Sequence, residues 1–294
     1  MYFELQFRHF LCLSLVFASG LACGKPDPKD PSTWLWNDPT ELKGVTHGEI
    51  ESDAMGRTMG YNIYLPPSYK SSSERRYPVV FWLHGAYGKE NDIGLAMIAK
   101  QLIERDEIGE VIYVVANSGH FSRYRDWPNG EVMAETWVIR ELIPEIDSRY
   151  RTLSRRSGRA IAGFSMGGEG ALRFGFKYPE MFCAIGSFSP ALHWPESLGE
   201  KVQQYSSEGP LFYAEQNKEK LSEGQMPLYL AIGDSERFFD DFPEALGFLH
   251  EREIRIRAQV FDGLEHNLGK LLEYSGEELV RFLSRHYDQA ERGE

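Results

Sequence analysis

The stretch Arg159-Ala-Ile-Ala-Gly-Phe-Ser-Met-Gly-Gly168 constrains this chain more than any other. An apolar run of β-type residues passes into Gly163-Phe-Ser165-Met-Gly167, and a helical run from Ala171 to Tyr178 follows until Pro179 stops it. A serine with glycines two residues away on each side fits a tight strand-to-helix turn, where a Cβ at either glycine would collide. Such a turn lifts the hydroxyl off the backbone and aims the next amide, that of Met166, into the same space. One local geometry thus offers a nucleophile and half of an oxyanion hole. The G-x-S-x-G spacing alone is a weak signal; its strand and helix context gives it weight.

Around this turn, apolar runs alternate with helical periodicity. Strands are predicted at Val45 to Glu51, Met59 to Leu65, Tyr77 to Leu83, Val111 to Ala116, Ala184 to Phe188, Pro227 to Ile232 and Ile254 to Phe261. The continuous apolar runs among them suit strands covered on both faces. Helical spacing marks Asn91 to Glu107, Met133 to Tyr150, Phe242 to Glu253 and Glu277 to Tyr287. This alternation predicts one α/β domain over residues 45–290, a mostly parallel, doubly wound sheet with helices on both faces. The chain has 294 residues, 42% of them hydrophobic, enough for such a core. Its formal net charge of −12 argues against nucleic acid or an anionic membrane surface as partner.

Residues 1–23 read as an export signal: Arg8 and His9, an apolar run from Phe10 to Phe17, then small residues. Cys23, after Leu21 and Ala22, admits lipidation at that thiol as well as simple secretion. No later stretch is long and apolar enough for a transmembrane helix. Residues 24–44, rich in Pro, Asp and Lys and carrying Trp34 and Trp36, read as a linker that becomes a docked arm. Cys183 is then the one cysteine of the folded body and, within an apolar run, reads as a buried small hydrophobe.

Ligands of open α/β sheets bind beyond the carboxyl ends of the strands, and four such ends carry chemistry. Phe81-Trp-Leu-His-Gly-Ala-Tyr-Gly88 closes one strand with a small-residue turn whose amides, that of Ala86 in particular, suit a second oxyanion donor. The next end carries Ser165. Gly233-Asp-Ser-Glu236 ends a third with two carboxylates, Asp234 and Glu236, both candidates for the acid. Val260-Phe-Asp-Gly-Leu-Glu-His266 ends the last with a histidine. The order serine, acid, histidine is that of a hydrolase of this topology. A serine hydroxyl is hardly ionised near neutrality, so an imidazole must take its proton, and a carboxylate fixes that imidazole's tautomer. The other histidines lack this placement; His84 reads as ordering the oxyanion turn. The loop Asn117 to Glu131 and the oxyanion turn should line the cleft, nominating Tyr87, Asp126 and Trp127 as substrate contacts, with Pro195 to Met226 a further candidate lining. No metal-ligand cluster or phosphate-cradling loop is present, so no metal or cofactor is expected.

Several segments together resemble the esterase family of α/β hydrolases that includes S-formylglutathione hydrolase, feruloyl and acetylxylan esterases, enterochelin esterase and mycolyltransferase antigens. They are Tyr64-Leu-Pro-Pro-Ser-Tyr69, Leu83 to Asp92, Glu141 to Tyr150, Ala162 to Ala171, Tyr178-Pro-Glu-Met-Phe182 and Gly263-Leu-Glu-His266. The resemblance implies an α/β-hydrolase fold and a serine esterase. It places the acid three residues after Gly233, at Glu236, where relatives usually have aspartate; Ser189-Pro190 also departs from their Ser-Gly. Combined with export, it implies acetyl or feruloyl esters on carbohydrate. An acyltransferase, a thioesterase of the S-formylglutathione type and a catalytically silent glycan binder are the alternatives.

Overall fold

The computed structural model describes residues 26–192, 208–222 and 225–292. The leader expected at residues 1–23, with Cys23, lies outside the described residues, as does much of the Pro195 to Met226 insertion. The strands are β1 (Thr46–Ser52), β2 (Arg57–Tyr64), β3 (Val79–Leu83), β4 (Ile112–Ala116), β5 (Arg159–Phe164), β6 (Ala184–Phe188), β7 (Leu228–Gly233) and β8 (Ile256–Phe261). They form one eight-stranded sheet in the order β1-β2-β4-β3-β5-β6-β7-β8. β2 pairs antiparallel with both β1 and β4; every pairing from β4 to β8 is parallel.

Side chains alternate between the two faces of this sheet. Val79, Phe81 and Leu83 of β3 enter one core with Ile161, Ile185 and Leu230. Val80 and Trp82 enter the other, with Ala160, Ala162, Tyr229 and Ala231. The second core is closed by α1 (Gly94–Glu104) and by the C-terminal helix Leu268–Arg292, through Leu95, Leu102, Leu271 and Leu279. The first is closed by α2 (Ala134–Thr136), a π-helical stretch Trp137–Leu142, α3 (Ile143–Arg149) and α4 (Met166–Lys177). Complete burial of each such apolar side chain contributes about 1.5–3 kcal/mol. Cys183 is buried and free, and burial pushes its thiol up to about 11.

The chain leaves β3 for β4 on one side and returns to β5 on the other. Between β3 and β5, in register at Leu83 and Gly163, lies the switch point of the sheet, the place where open α/β sheets bind their ligands.

Two helices differ from expectation. The last begins at Leu268, not Glu277, because Asn267 caps it: its Oδ1 accepts from the Lys270 amide at 3.0 Å. Gly269, Ser275 and Gly276 break the apolar period there, yet Gly276 is the point where α1 crosses. A Cβ at that position would stand 2.5 Å from Ile98 Cδ1. The predicted Met133 to Tyr150 helix is one helical path, but its middle is π-wound, where the Trp137 indole donates to the Asn117 carbonyl at 2.8 Å. No described helix is long and apolar enough to cross a membrane.

Candidate active site

Ser165 caps the start of α4 with φ 56° and ψ −116°, an unusual conformation for a non-glycine residue. The flanking glycines allow it. A Cβ on Gly163 would stand 2.2 Å from the Gly167 carbonyl oxygen, and one on Gly167 2.0 Å from that of Leu83. The turn is pinned on both sides: the Ser165 amide donates to Phe188 O at 2.8 Å, and Ser165 O accepts from the Glu169 amide at 2.9 Å.

The loop after β8 brings His266 to this serine, with Nε2 2.9 Å from Ser165 Oγ. Its Nδ1 lies 2.9 Å from Glu236 Oε2. A carboxylate only accepts, so Nδ1 carries the proton and Nε2 is left to accept from the serine hydroxyl. The Glu236 side chain is fully buried, and its second oxygen, Oε1, has no hydrogen-bond partner among the described residues. The imidazole is also clamped between rings, stacked on Phe164 at 4.7 Å and edge-on to Phe238 at 5.1 Å.

Asp234, the other candidate acid, is engaged elsewhere. Its Oδ1 accepts from the Gly263 amide at 2.8 Å, tying the end of β7 to the turn that carries His266. The structure therefore brings Glu236, and not Asp234, to the imidazole.

The turn after β3 lies against the serine: a Cβ on Gly85 would meet Phe164 Cδ1 at 2.9 Å and Ser165 Cβ at 3.4 Å. Neither the Ala86 nor the Met166 amide donates to a partner among the described residues. An oxyanion site needs such free donors. His84 orders this turn from inside. Its Nδ1 donates to Gly85 O at 2.8 Å, while Nε2 accepts from the Ser118 amide at 3.3 Å. Burial pushes this imidazole down to about 4, so it stays neutral. Tyr87 has φ 64° and is 57% exposed, standing at the surface beside Ala86.

Asp126 and Trp127 lie in the loop after β4, and both make contacts within the fold. The Asp126 carboxylate accepts from the Thr136 amide at 3.0 Å and its hydroxyl at 2.6 Å, capping the helical segment. It borders a polar cavity of about 290 Å³, walled by Arg125, Glu135, Arg140 and Arg173, whose lining does not include Ser165. Trp127 packs edge-on against Trp34 at 5.6 Å and donates to Ser122 O.

One feature escaped the sequence. Glu169, one turn beyond Ser165, is buried and meets Arg123 Nη2 at 3.0 and 2.9 Å through its two oxygens, and Arg125 Nη2 at 2.7 Å. Burial works to raise this carboxyl, but the two guanidiniums outweigh it and hold it below the usual range. Arg123 also donates its amide to Met166 Sδ at 3.4 Å, so the network braces the loop against Met166. Among the described residues no group of three or more His, Cys, Asp or Glu is arranged to hold a metal ion.

Known proteins share this architecture. An esterase of Mycobacterium tuberculosis is 29% identical over 173 residues, 58% of this chain and 35% of the relative. An endo-1,4-beta-xylanase/feruloyl esterase of Xylanibacter ruminicola is 31% identical over 173 residues, 53% of this chain and 23% of that protein. The chain thus spans well under half the length of these curated relatives. Among solved structures, a ferulic acid esterase superposes with a TM-score of 0.73 at 26% identity, covering 82% of this chain and 97% of that one. An S-formylglutathione hydrolase from Agrobacterium tumefaciens shares the fold, with a TM-score of 0.65 at 18% identity over 84% of this chain and 98% of its own. The family model described as Putative esterase matches residues 52–270, a span that holds Ser165, Glu236 and His266, and the chain belongs to that family.

Proposed function

We propose that this protein is a serine esterase that hydrolyses carboxylic esters through an acyl-enzyme. The observation that carries this reading is the relay from Ser165 Oγ through His266 to Glu236 Oε2, with 2.9 Å at each link. In this reading Ser165 attacks the ester carbonyl while His266 Nε2 takes its proton. Glu236 stabilises the imidazolium, and the Ala86 and Met166 amides bind the oxygen that becomes negative. The imidazolium returns its proton to the departing alcohol. Water then repeats the attack on the acyl-serine with His266 again as base, releasing the acid.

The substrate we propose is an acetyl or feruloyl ester on carbohydrate, met outside the cytoplasm. The ferulic acid esterase likeness and the leader read at residues 1–23 support this, with lipidation of Cys23 an alternative to free secretion. Tyr87 is the contact assigned to the bound ester in this reading, and its exposure next to Ala86 supports that.

The test is turnover of p-nitrophenyl acetate, methyl ferulate and acetylated xylan, with labelling by a fluorophosphonate. Hydrolysis and labelling that both vanish in Ser165→Ala are expected. Labelling that persists in that variant, or glycan binding with no turnover, overturns the reading. Adding glycerol or trehalose reports acyl transfer, and S-formylglutathione reports the thioesterase alternative.

A further inference from the structure

Residues Trp34 to Asp38 of the N-terminal arm pack across the loop that follows β4. Trp34 is 5% exposed, with its indole edge-on to Phe121 at 5.7 Å and to Trp127 at 5.6 Å, and tilted on Trp36 at 5.3 Å. Phe121 in turn meets the Tyr87 ring edge-on at 4.4 Å. The arm touches this loop at its backbone: Gly119 has φ +83°, and a Cβ there would stand 2.5 Å from the Trp36 ring and 2.8 Å from that of Trp34.

A second line of contact runs through Glu90, just past the oxyanion turn and fully buried. Its Oε1 accepts from the Asp38 amide, and its Oε2 accepts from Asn117 Nδ2 at 2.6 Å. Lys89 pairs with the Asp38 carboxylate at 2.5 Å, and Asn117 Nδ2 also donates to Leu35 O at 3.1 Å. The first line ends on Tyr87, within the turn from His84 to Gly88, and the second on Lys89 and Glu90, which directly follow that turn. Tyr87 there holds φ 64°, a strained value that persists only where surrounding contacts enforce it. A solvated tether would need neither two buried indoles nor hydrogen bonds to the residues that follow this turn.

We infer that the arm is a working part of the active site, with Trp34 and Glu90 as positioning residues. Trp34 acts through Phe121 on Tyr87, and Glu90 through Asn117 and Asp38, to hold the Ala86 amide where the developing oxyanion forms. This inference rests on the serine-esterase reading.

The experiment uses the full chain with p-nitrophenyl acetate as probe. Wild-type turnover that is lost in Ser165→Ala first establishes the reaction; its absence would count against the esterase reading, a separate result. Deleting an oxyanion donor costs about 10²–10³ in kcat, so loosening one that remains should cost about tenfold. Trp34→Phe, which keeps most of the packing volume, is therefore expected to lower kcat about tenfold with KM nearly unchanged. The serine fraction labelled at completion by a fluorophosphonate should stay at the wild-type level, as should cooperative melting. Glu90→Gln is expected to act in the same direction. In a Phe121→Ala background, Trp34→Phe should change kcat by less than about twofold, because the intermediary is already gone. The inference is overturned by unchanged kcat in folded Trp34→Phe, by a fall in kcat matched by a fall in labelled serine, or by effects that multiply independently in the double variant.

Discussion

The imidazole of His266 stacks on the ring of Phe164, centroids 4.7 Å apart and planes 25° apart, beside the serine that its Nε2 faces at 2.9 Å. Phe238 closes the other side at 72°, two residues beyond Glu236. Chain positions one residue from the serine and two from the acid therefore also fix the plane of the imidazole between them. A base held in plane loses less entropy on reaching the attack geometry.

Replacing that flat face should be felt in the chemical step. An aromatic pair is worth about 0.5–1.5 kcal/mol beyond its buried area, which corresponds to about two- to tenfold in rate. Phe164→Leu keeps an apolar side chain but removes the stacking surface. It is expected to lower kcat within that range while KM holds, in steady-state assays below the melting transition. An unchanged kcat would show that the stack plays no part in holding the imidazole.

The two carboxylates after β7 should separate cleanly. Glu236→Gln keeps the shape, yet its amide group no longer enforces the Nδ1–H tautomer; loss of the acid in a relay of this kind costs about 10⁴ in kcat. Asp234→Asn retains an oxygen for the Gly263 amide, so it should lose less than about tenfold. Burst and steady-state kinetics on an activated ester would check both. Equal losses would reassign the acid.

The residues that announced themselves in the sequence did so through local chemistry. β3, β4 and β5 were legible because strands covered on both faces read as unbroken apolar runs. Ser165 and His266 were legible because each follows a strand end with glycine beside it. Phe164 and Phe238 carry no such mark, since a single aromatic beside a polar turn reads the same whether it clamps a ring or fills a core. Glu169 reads as an acid complementing the first turn of a helix. Its partners Arg123 and Arg125 stand more than forty positions earlier in the chain, and only the fold joins them. The bond from Asp126 to Thr136 was hidden in the same way, because a helix-capping carboxylate and a ligand-facing one look alike in a loop.

The buried His84 should give the turn after β3 a measurable acid response. Its imidazole is pushed down to about 4 by burial, against the ordinary 6.5, while its Nε2 accepts the Ser118 amide. Above pH 6.5 it is neutral whether the chain is folded or not, so it contributes no pH dependence there. Between 6.5 and about 4 the unfolded chain takes up a proton that the folded one refuses, so stability falls as pH falls, by about 1.4 kcal/mol per unit. Asp92 works in the opposite sense. Burial raises it from 3.8 to about 6, so in that window the folded state binds the proton first and gains stability as pH drops. The wild-type curve therefore mixes both, and a comparison with His84→Asn isolates the histidine, since the amide can still donate to Gly85 O. Urea unfolding at pH 7 and 4.5 should show the wild type losing about 2–3 kcal/mol more than this variant. Parallel losses in the two proteins would mean that His84 binds its proton as readily folded as unfolded, and that the turn is held without a neutral imidazole beneath it.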